Sequence, residues 1–148
     1  MRTRAVSDDI ELVGRFPGVE DYCRLRVAAG MSSKTPEAAR RGLPNTLYGV
    51  SLLHEGEVVG MGRIIGDGGC FYTVVDIAVA PAYQKRGLGK RIMADLDAWL
   101  RANTLDSAYV NLVADGDAKH LYAQFGFVET SLSVNMEYIV PRAGWRRS

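Results

Sequence analysis

The nine residues Phe71–Val79 (FYTVVDIAV) are almost wholly apolar, and the chain leaves them through the joint APAYQKRGLGK. A run this rich in β-branched and aromatic side chains predicts a central strand buried on both faces. Pro81 cannot donate to a sheet ladder and stops it. Beyond the joint, Leu88, Ile92, Met93, Leu96, Trp99 and Leu100 recur at helical spacing, with Lys90, Arg91, Asp95, Asp97 and Arg101 mainly on the other face. A buried strand running into an amphipathic helix sets a mixed α/β organisation.

The flanking segments fit the same class. Asp8–Phe16 reads as a short first strand, and Val19, Tyr22, Leu25 and Ala29 form a helical stripe. Thr35-Pro36-Glu37 opens a second short helix, with threonine as cap and proline in the first turn, and Gly42 ends it. Tyr48–His54 and Val58–Ile65 read as strands joined by a tight turn at Glu55-Gly56, and Gly66–Gly69 is a second turn. Tyr109–Val113 is another short strand, followed by a helix from Asp117 to Gln124 that Gly126 ends. Two last strands, near Phe127–Thr130 and Ser133–Val140, are expected to close a single domain over residues 1–148, with a loose tail from about residue 141.

Composition narrows the function. The chain has 148 residues, the usual size of one domain, with 18 Lys+Arg against 17 Asp+Glu. So even a balance argues against a general nucleic-acid binder. No apolar run reaches the ~20 residues that cross a bilayer, and the first residues lack the apolar region of a signal peptide. Cys23 and Cys70 stand far apart and read as free thiols in a reducing cytoplasm, and no base partner is visible that would make Cys70 a nucleophile. His54 and His120 are isolated, so no metal site is expected.

The joint has a physical reading of its own. A helix N-terminus offers unpaired N–H groups and partial positive charge, which suit phosphate. Gly87 and Gly89 remove the Cβ atoms that would hold a pyrophosphate off the backbone, and Lys85, Arg86 and Lys90 add charge. Taken alone, the same residues serve equally as a strand-to-helix turn with solvated cations. The spacing is neither a Walker loop nor a dinucleotide fingerprint.

Taken with its surroundings, VVDIAVAPAYQKRGLGKRIMADLDAWL resembles the acetyl-CoA signature of the GCN5-related N-acetyltransferase (GNAT) family, in which Gln/Arg-x-x-Gly-x-Gly follows a buried strand. DGDAKHLYAQFGF resembles the family's second motif: Ala118, Tyr122, Gly126 and Phe127 match, while Asp115 stands where asparagine is usual. The resemblance implies an α/β (α+β) GNAT fold, with a mixed central sheet of about seven strands, splayed at its centre and flanked by about four helices. It also implies an acetyl-CoA-dependent N-acetyltransferase. Ile77, Ala78 and Val79 would meet the pantetheine arm. Gln84, Lys85, Arg86, Gly87, Leu88, Gly89 and Lys90 would cradle the pyrophosphate, Asp115 would accept from an amide N–H, and Tyr122 would protonate the leaving thiolate. Read without the resemblance, Tyr122 belongs with Leu121 and Phe125 to the core stripe of a short helix.

The reaction needs a neutral amine. An alkylamine of pKa ~10.4 costs roughly 4–5 kcal/mol to deprotonate at pH 7. Asp76 is the sole charge in FYTVVDIAV and is expected to act at the acceptor as base or cation anchor, on the strand face of Tyr72, Val74 and Ala78 unless a bulge intervenes. The alternative is that Asp76 only accepts backbone N–H bonds. Met31, Tyr48, Tyr72 and Asp76 are expected to line the acceptor pocket, which suits a small-molecule amine better than a protein tail. Acetylation of a protein lysine or N-terminal amine, and a non-catalytic acyl-CoA sensor, remain alternatives. A homodimer paired through the final strands is a further expectation.

Overall fold

The computed structural model describes residues 9–140. Its strands are β1 (Ile10–Val13), β2 (Tyr48–His54), β3 (Glu57–Gly66), β4 (Phe71–Val79) and β5 (Tyr109–Asn111), hydrogen-bonded side by side in that order. Neighbours are antiparallel from β1 to β4, whereas β5 joins β4 in parallel. The helices are α1 (Val19–Ala28), α2 (Pro36–Gly42), α3 (Leu88–Asn103) and α4 (Lys119–Ala123). The β2–β3 turn has positive φ at both Glu55 (51°) and Gly56 (81°), which matches the twist of a tight hairpin. Thr35 caps α2, its Oγ1 accepting from the Ala38 amide at 3.1 Å.

Helix α3 lays the predicted stripe on the sheet: Leu88, Ile92, Met93, Leu96 and Leu100 are all buried. Each such side chain contributes about 1.5–3 kcal/mol by leaving water. Gly62 of β3 lets the helix come close, since a Cβ there would meet Ile92 Cγ2 at 2.6 Å. On the opposite face, Tyr22 and Leu25 of α1 and Ala39 of α2 bury against Val58, Met61 and Ala78.

Strand β4 is interrupted where the site lies. Met61 opposes Ala78 and Arg63 opposes Val75, so Gly62 alone faces Asp76 and Ile77. Asp76 takes φ 59°, the left-handed region, and forms a β-bulge. The extra residue inverts the inside–outside alternation. Tyr72 and Val74 pack into the α3-side core, and beyond the bulge Ile77 and Val79 join them, while Ala78 belongs to the α1 side. Asp76 turns toward α1, so it does not share a face with Tyr72 and Val74 as strict alternation predicts.

The sheet has five strands among the described residues, not about seven. Residues 127–140 form no strand, and Val128, Leu132, Val134, Met136 and Tyr138 are exposed. A strand needs an edge to pair with, and apolar alternation alone does not supply one. The tail from residue 141 lies outside the described residues. Cys23 and Cys70 are both free thiols. Among the described residues no helix is long and apolar enough to cross a membrane, and no His, Cys, Asp and Glu group is arranged to hold a metal.

Candidate active site

The strand-to-helix joint forms a shallow concavity of about 210 Å3 between the end of β4 and the start of α3. Lys85 (φ 64°) and Gly87 (φ 75°) are both left-handed, on either side of Arg86. Backbone that alternates in hand this way builds the anion-binding nests known at phosphate sites. Gly87 is the N-cap of α3, and glycine adopts that conformation without strain. A Cβ on Gly89 would sit 3.4 Å from Leu121 Cδ2 of α4, in ordinary contact. Gln84 Nε2 donates to the Val79 carbonyl at 2.9 Å and ties the loop to the strand. Arg86 lies over the Tyr83 ring at 5.3 Å. Lys85, Arg86 and Lys90 are exposed, and no acid occurs between Pro81 and Ala94 to cancel them.

A second opening lies beside β4. Its pairing with β5 ends at Thr73–Asn111, where Thr73 Oγ1 donates to Asn111 Oδ1 at 2.7 Å. From there β4 is paired with β3 only, up to Val79, and β4 and β5 diverge. The splay expected at the centre of the sheet lies instead between β4 and β5, the last strand of the described sheet. The cleft beside it has a volume of about 200 Å3; Val75, Asp76 and Ile77 line one side, Leu112 and Val113 the other, and Met31, Asp115 and Tyr122 close it. Of the residues expected to meet a pantetheine arm, Ile77 borders this cleft and Val79 the loop concavity, whereas the Ala78 side chain is buried on the α1 side. Burial pushes the Tyr122 hydroxyl above the ordinary phenol range, and the nearby Asp115 charge pushes it further. The group therefore stays protonated at neutral pH and is able to donate.

Asp76 is not a free carboxylate. Its Oδ1 accepts from Arg26 Nη1 at 2.6 Å and from the Tyr22 hydroxyl at 3.1 Å, and its Oδ2 accepts from Arg63 Nε at 2.7 Å. Arg26 also donates to the Ser32 carbonyl and hydroxyl, at 2.8 and 3.0 Å. Arg63 donates to Thr46 Oγ1 at 3.0 Å and lies over the Phe16 and Tyr22 rings. Two guanidiniums thus face one carboxylate that is 7% exposed. Neither a base awaiting a proton nor an anchor for a substrate ammonium fits that setting: both oxygens are taken, and the cluster carries excess positive charge.

Of the expected acceptor residues, Met31 and Asp76 meet at the cleft and the two tyrosines do not. Tyr48 stacks on Trp99 of α3 at 5.6 Å, and its hydroxyl donates to Asp95. Burial first, and then that hydrogen bond, push it up to about 12. Tyr72 is 2% exposed and sits edge-on to the same Trp99 ring. Both belong to the α3 face, on the far side of the sheet from α1. Sequence reasoning missed Arg26, Arg63 and Tyr22. A signal for Arg63 existed, because it is the only cation within EVVGMGRIIG, the strand beside a buried acid that needs a counter-charge.

Comparison with known proteins bears on the family and the fold. Residues 48–129 match the family described as acetyltransferase (GNAT) domain. A probable acetyltransferase of unknown function from Meticillin-resistant Staphylococcus aureus is 44% identical, with a TM-score of 0.83 over 88% of this chain and 98% of its own. A GNAT-family protein from Streptococcus pneumoniae is 27% identical, with a TM-score of 0.71 over 88% and 97% of the two chains. The uncharacterized N-acetyltransferase ycf52 of Porphyra purpurea is 31% identical over 57% of this chain, and that of Gracilaria tenuistipitata var. liui 24% identical over 76%. The chain spans 48% and 63% of the lengths of those two relatives.

Proposed function

The chain belongs to the GNAT family of N-acetyltransferases, and on that premise we propose that it transfers an acetyl group from acetyl-CoA to the primary amine of a small molecule. The observation that carries this reading is the placing of two openings by one strand. A cationic, glycine-lightened helix start lies beyond the end of β4 at Val79, and a cleft that Val75, Asp76 and Ile77 of the same strand share with Tyr122 lies before it. The residues fit the co-substrate. The backbone of the joint, with Lys85, Arg86 and Lys90 around it, would hold the pyrophosphate, because Gly87 and Gly89 keep side chains out of the approach. The unpaired edge of β4 beside Ile77 would hold the pantetheine arm.

The transfer proceeds by direct attack of the amine nitrogen on the thioester carbon. Tyr122 donates its proton to the departing thiolate, for which a protonated phenol in a half-buried site is suited. Two acids line the cleft, and Asp76 is committed to two guanidiniums. Asp115 is the other: the first proton of the incoming ammonium passes to it directly or through water, and the second, lost from nitrogen after attack, replaces the one Tyr122 gives to sulfur. Asp115 also stands where the family usually has asparagine, so this chain has a carboxylate where an amide is the rule. A cleft of about 200 Å3, walled by Met31, suits a small amine better than a protein tail that would need an open groove.

The test is thiol release from acetyl-CoA with a panel of small primary amines and lysine peptides. Turnover with the small amines and not the peptides supports the reading. Turnover with peptides alone would transfer the acceptor to proteins, and acetyl-CoA binding without any amine-dependent release would make the domain a sensor.

A further inference from the structure

The acceptor wall is tied to the catalytic strand by one side chain. Arg26, near the end of α1, donates through Nη1 to Asp76 on the β4 bulge, and through Nε and Nη2 to the carbonyl and hydroxyl of Ser32. Its own backbone carbonyl accepts from the Met31 amide at 2.8 Å. Met31 and Asp76 both border the cleft. One guanidinium thus spans from the bulge of β4 to the loop that carries Met31 and Ser32. Arg26 is 7% exposed, so this fork works out of bulk water, where charge-assisted hydrogen bonds are strong and directional.

We infer that Arg26 is a positioning residue for the acceptor: it holds the Met31–Ser32 wall at a fixed distance from the bulge and thereby sets affinity for the amine. The inference rests on the acetyl-transfer reading above. Lysine cannot replace it, because a single ammonium can pair with Asp76 but lacks the rigid fork that reaches Ser32 at two points. Arg63 does not share the task, since its other hydrogen bond goes to Thr46 and not to the Met31 loop.

The experiment is steady-state kinetics of Arg26→Lys and Ser32→Ala with the best amine of the panel, beside acetyl-CoA affinity by calorimetry and a thermal melt. Ser32 is exposed, and the alanine variant removes only its hydroxyl acceptor. For Arg26→Lys the expected result is a KM for the amine raised about tenfold, the scale of one lost charge-assisted hydrogen bond, with kcat and acetyl-CoA affinity within about twofold. For Ser32→Ala a smaller rise in the same KM is expected, without loss of melting temperature. A folded Arg26→Lys protein with an unchanged KM overturns the inference. Should Arg26→Lys fail to fold, Ser32→Ala decides, and an unchanged KM there overturns it equally. Wild-type protein that binds acetyl-CoA but acetylates no amine overturns the parent reading, and this one with it; turnover with unmoved KM values sinks this one alone.

Discussion

Arg26 Nη1 donates to Asp76 Oδ1 at 2.6 Å, between side chains that are 8% and 5% exposed. That contact, with the matching one from Arg63, converts the single acid of the central strand from a candidate base into a structural pin. Asp76→Asn therefore leaves two guanidiniums short of their counter-charge. Removing one partner of a buried pair costs about 3–5 kcal/mol, so urea unfolding should show a loss on that scale. High pH should restore none of the lost acetylation, because no proton acceptor has been removed. Recovery of the rate with rising pH would return the base role to Asp76.

Asp115→Asn makes the opposite prediction. The side chain is exposed and the change nearly isosteric, so stability should hold within about 0.5 kcal/mol. With the cleft's other carboxylate gone, kcat/KM at pH 7 should fall by about 10²–10⁴ and climb back as the medium supplies neutral amine. A pH-independent deficit, or none, would take proton uptake away from Asp115.

The joint of β4 and α3 is tested by Gly89→Glu. The new side chain starts 3.4 Å from Leu121 and puts a carboxylate at a helix start surrounded by cations. The protein should stay folded and lose at least about tenfold in acetyl-CoA affinity, or ~1.4 kcal/mol, by calorimetry. An unaltered dissociation constant would remove the pyrophosphate from this loop.

Tyr48 illustrates what the sequence hides. Its hydroxyl bonds Asp95 and its ring stacks on Trp99, so Tyr48→Phe should cost about 1 kcal/mol of stability and leave the amine KM unchanged. A raised KM would put Tyr48 back at the acceptor.

The separation of Tyr72 from Asp76 has a definite origin. The apolar run of β4, the Pro81 bend, the α3 stripe and the Glu55-Gly56 hairpin are local patterns, and each forms where its residues predict. The bulge at Asp76 is not local. An aspartate with positive φ in mid-strand is held there by Arg26 and Arg63, residues 50 and 13 positions away, and no periodicity announces it. One extra residue inverts the faces of everything beyond it, so Asp76, which strict alternation pairs with Tyr72, lies on the other side of the sheet from it. The segments expected as last strands, Phe127–Thr130 and Ser133–Val140, show the converse: strand-like alternation is present, and neither joins the sheet.

The Tyr122 hydroxyl titrates above the ordinary phenol value because burial, and then Asp115, disfavour its anion. A proton donor with a raised pKa keeps its proton at every pH below that value and loses it only above. The profile of kcat at saturating substrates should therefore show no falling limb below about pH 10. A decline centred near pH 8 would identify a different acid.

Tyr122→Phe tests the central claim most directly, since it keeps the ring among its neighbours and removes only the hydroxyl. Measured as thiol release at saturating acetyl-CoA and amine, kcat should fall by about 10²–10⁴ while acetyl-CoA affinity stays within about twofold. A kcat within about twofold of wild type would contradict general-acid catalysis by Tyr122.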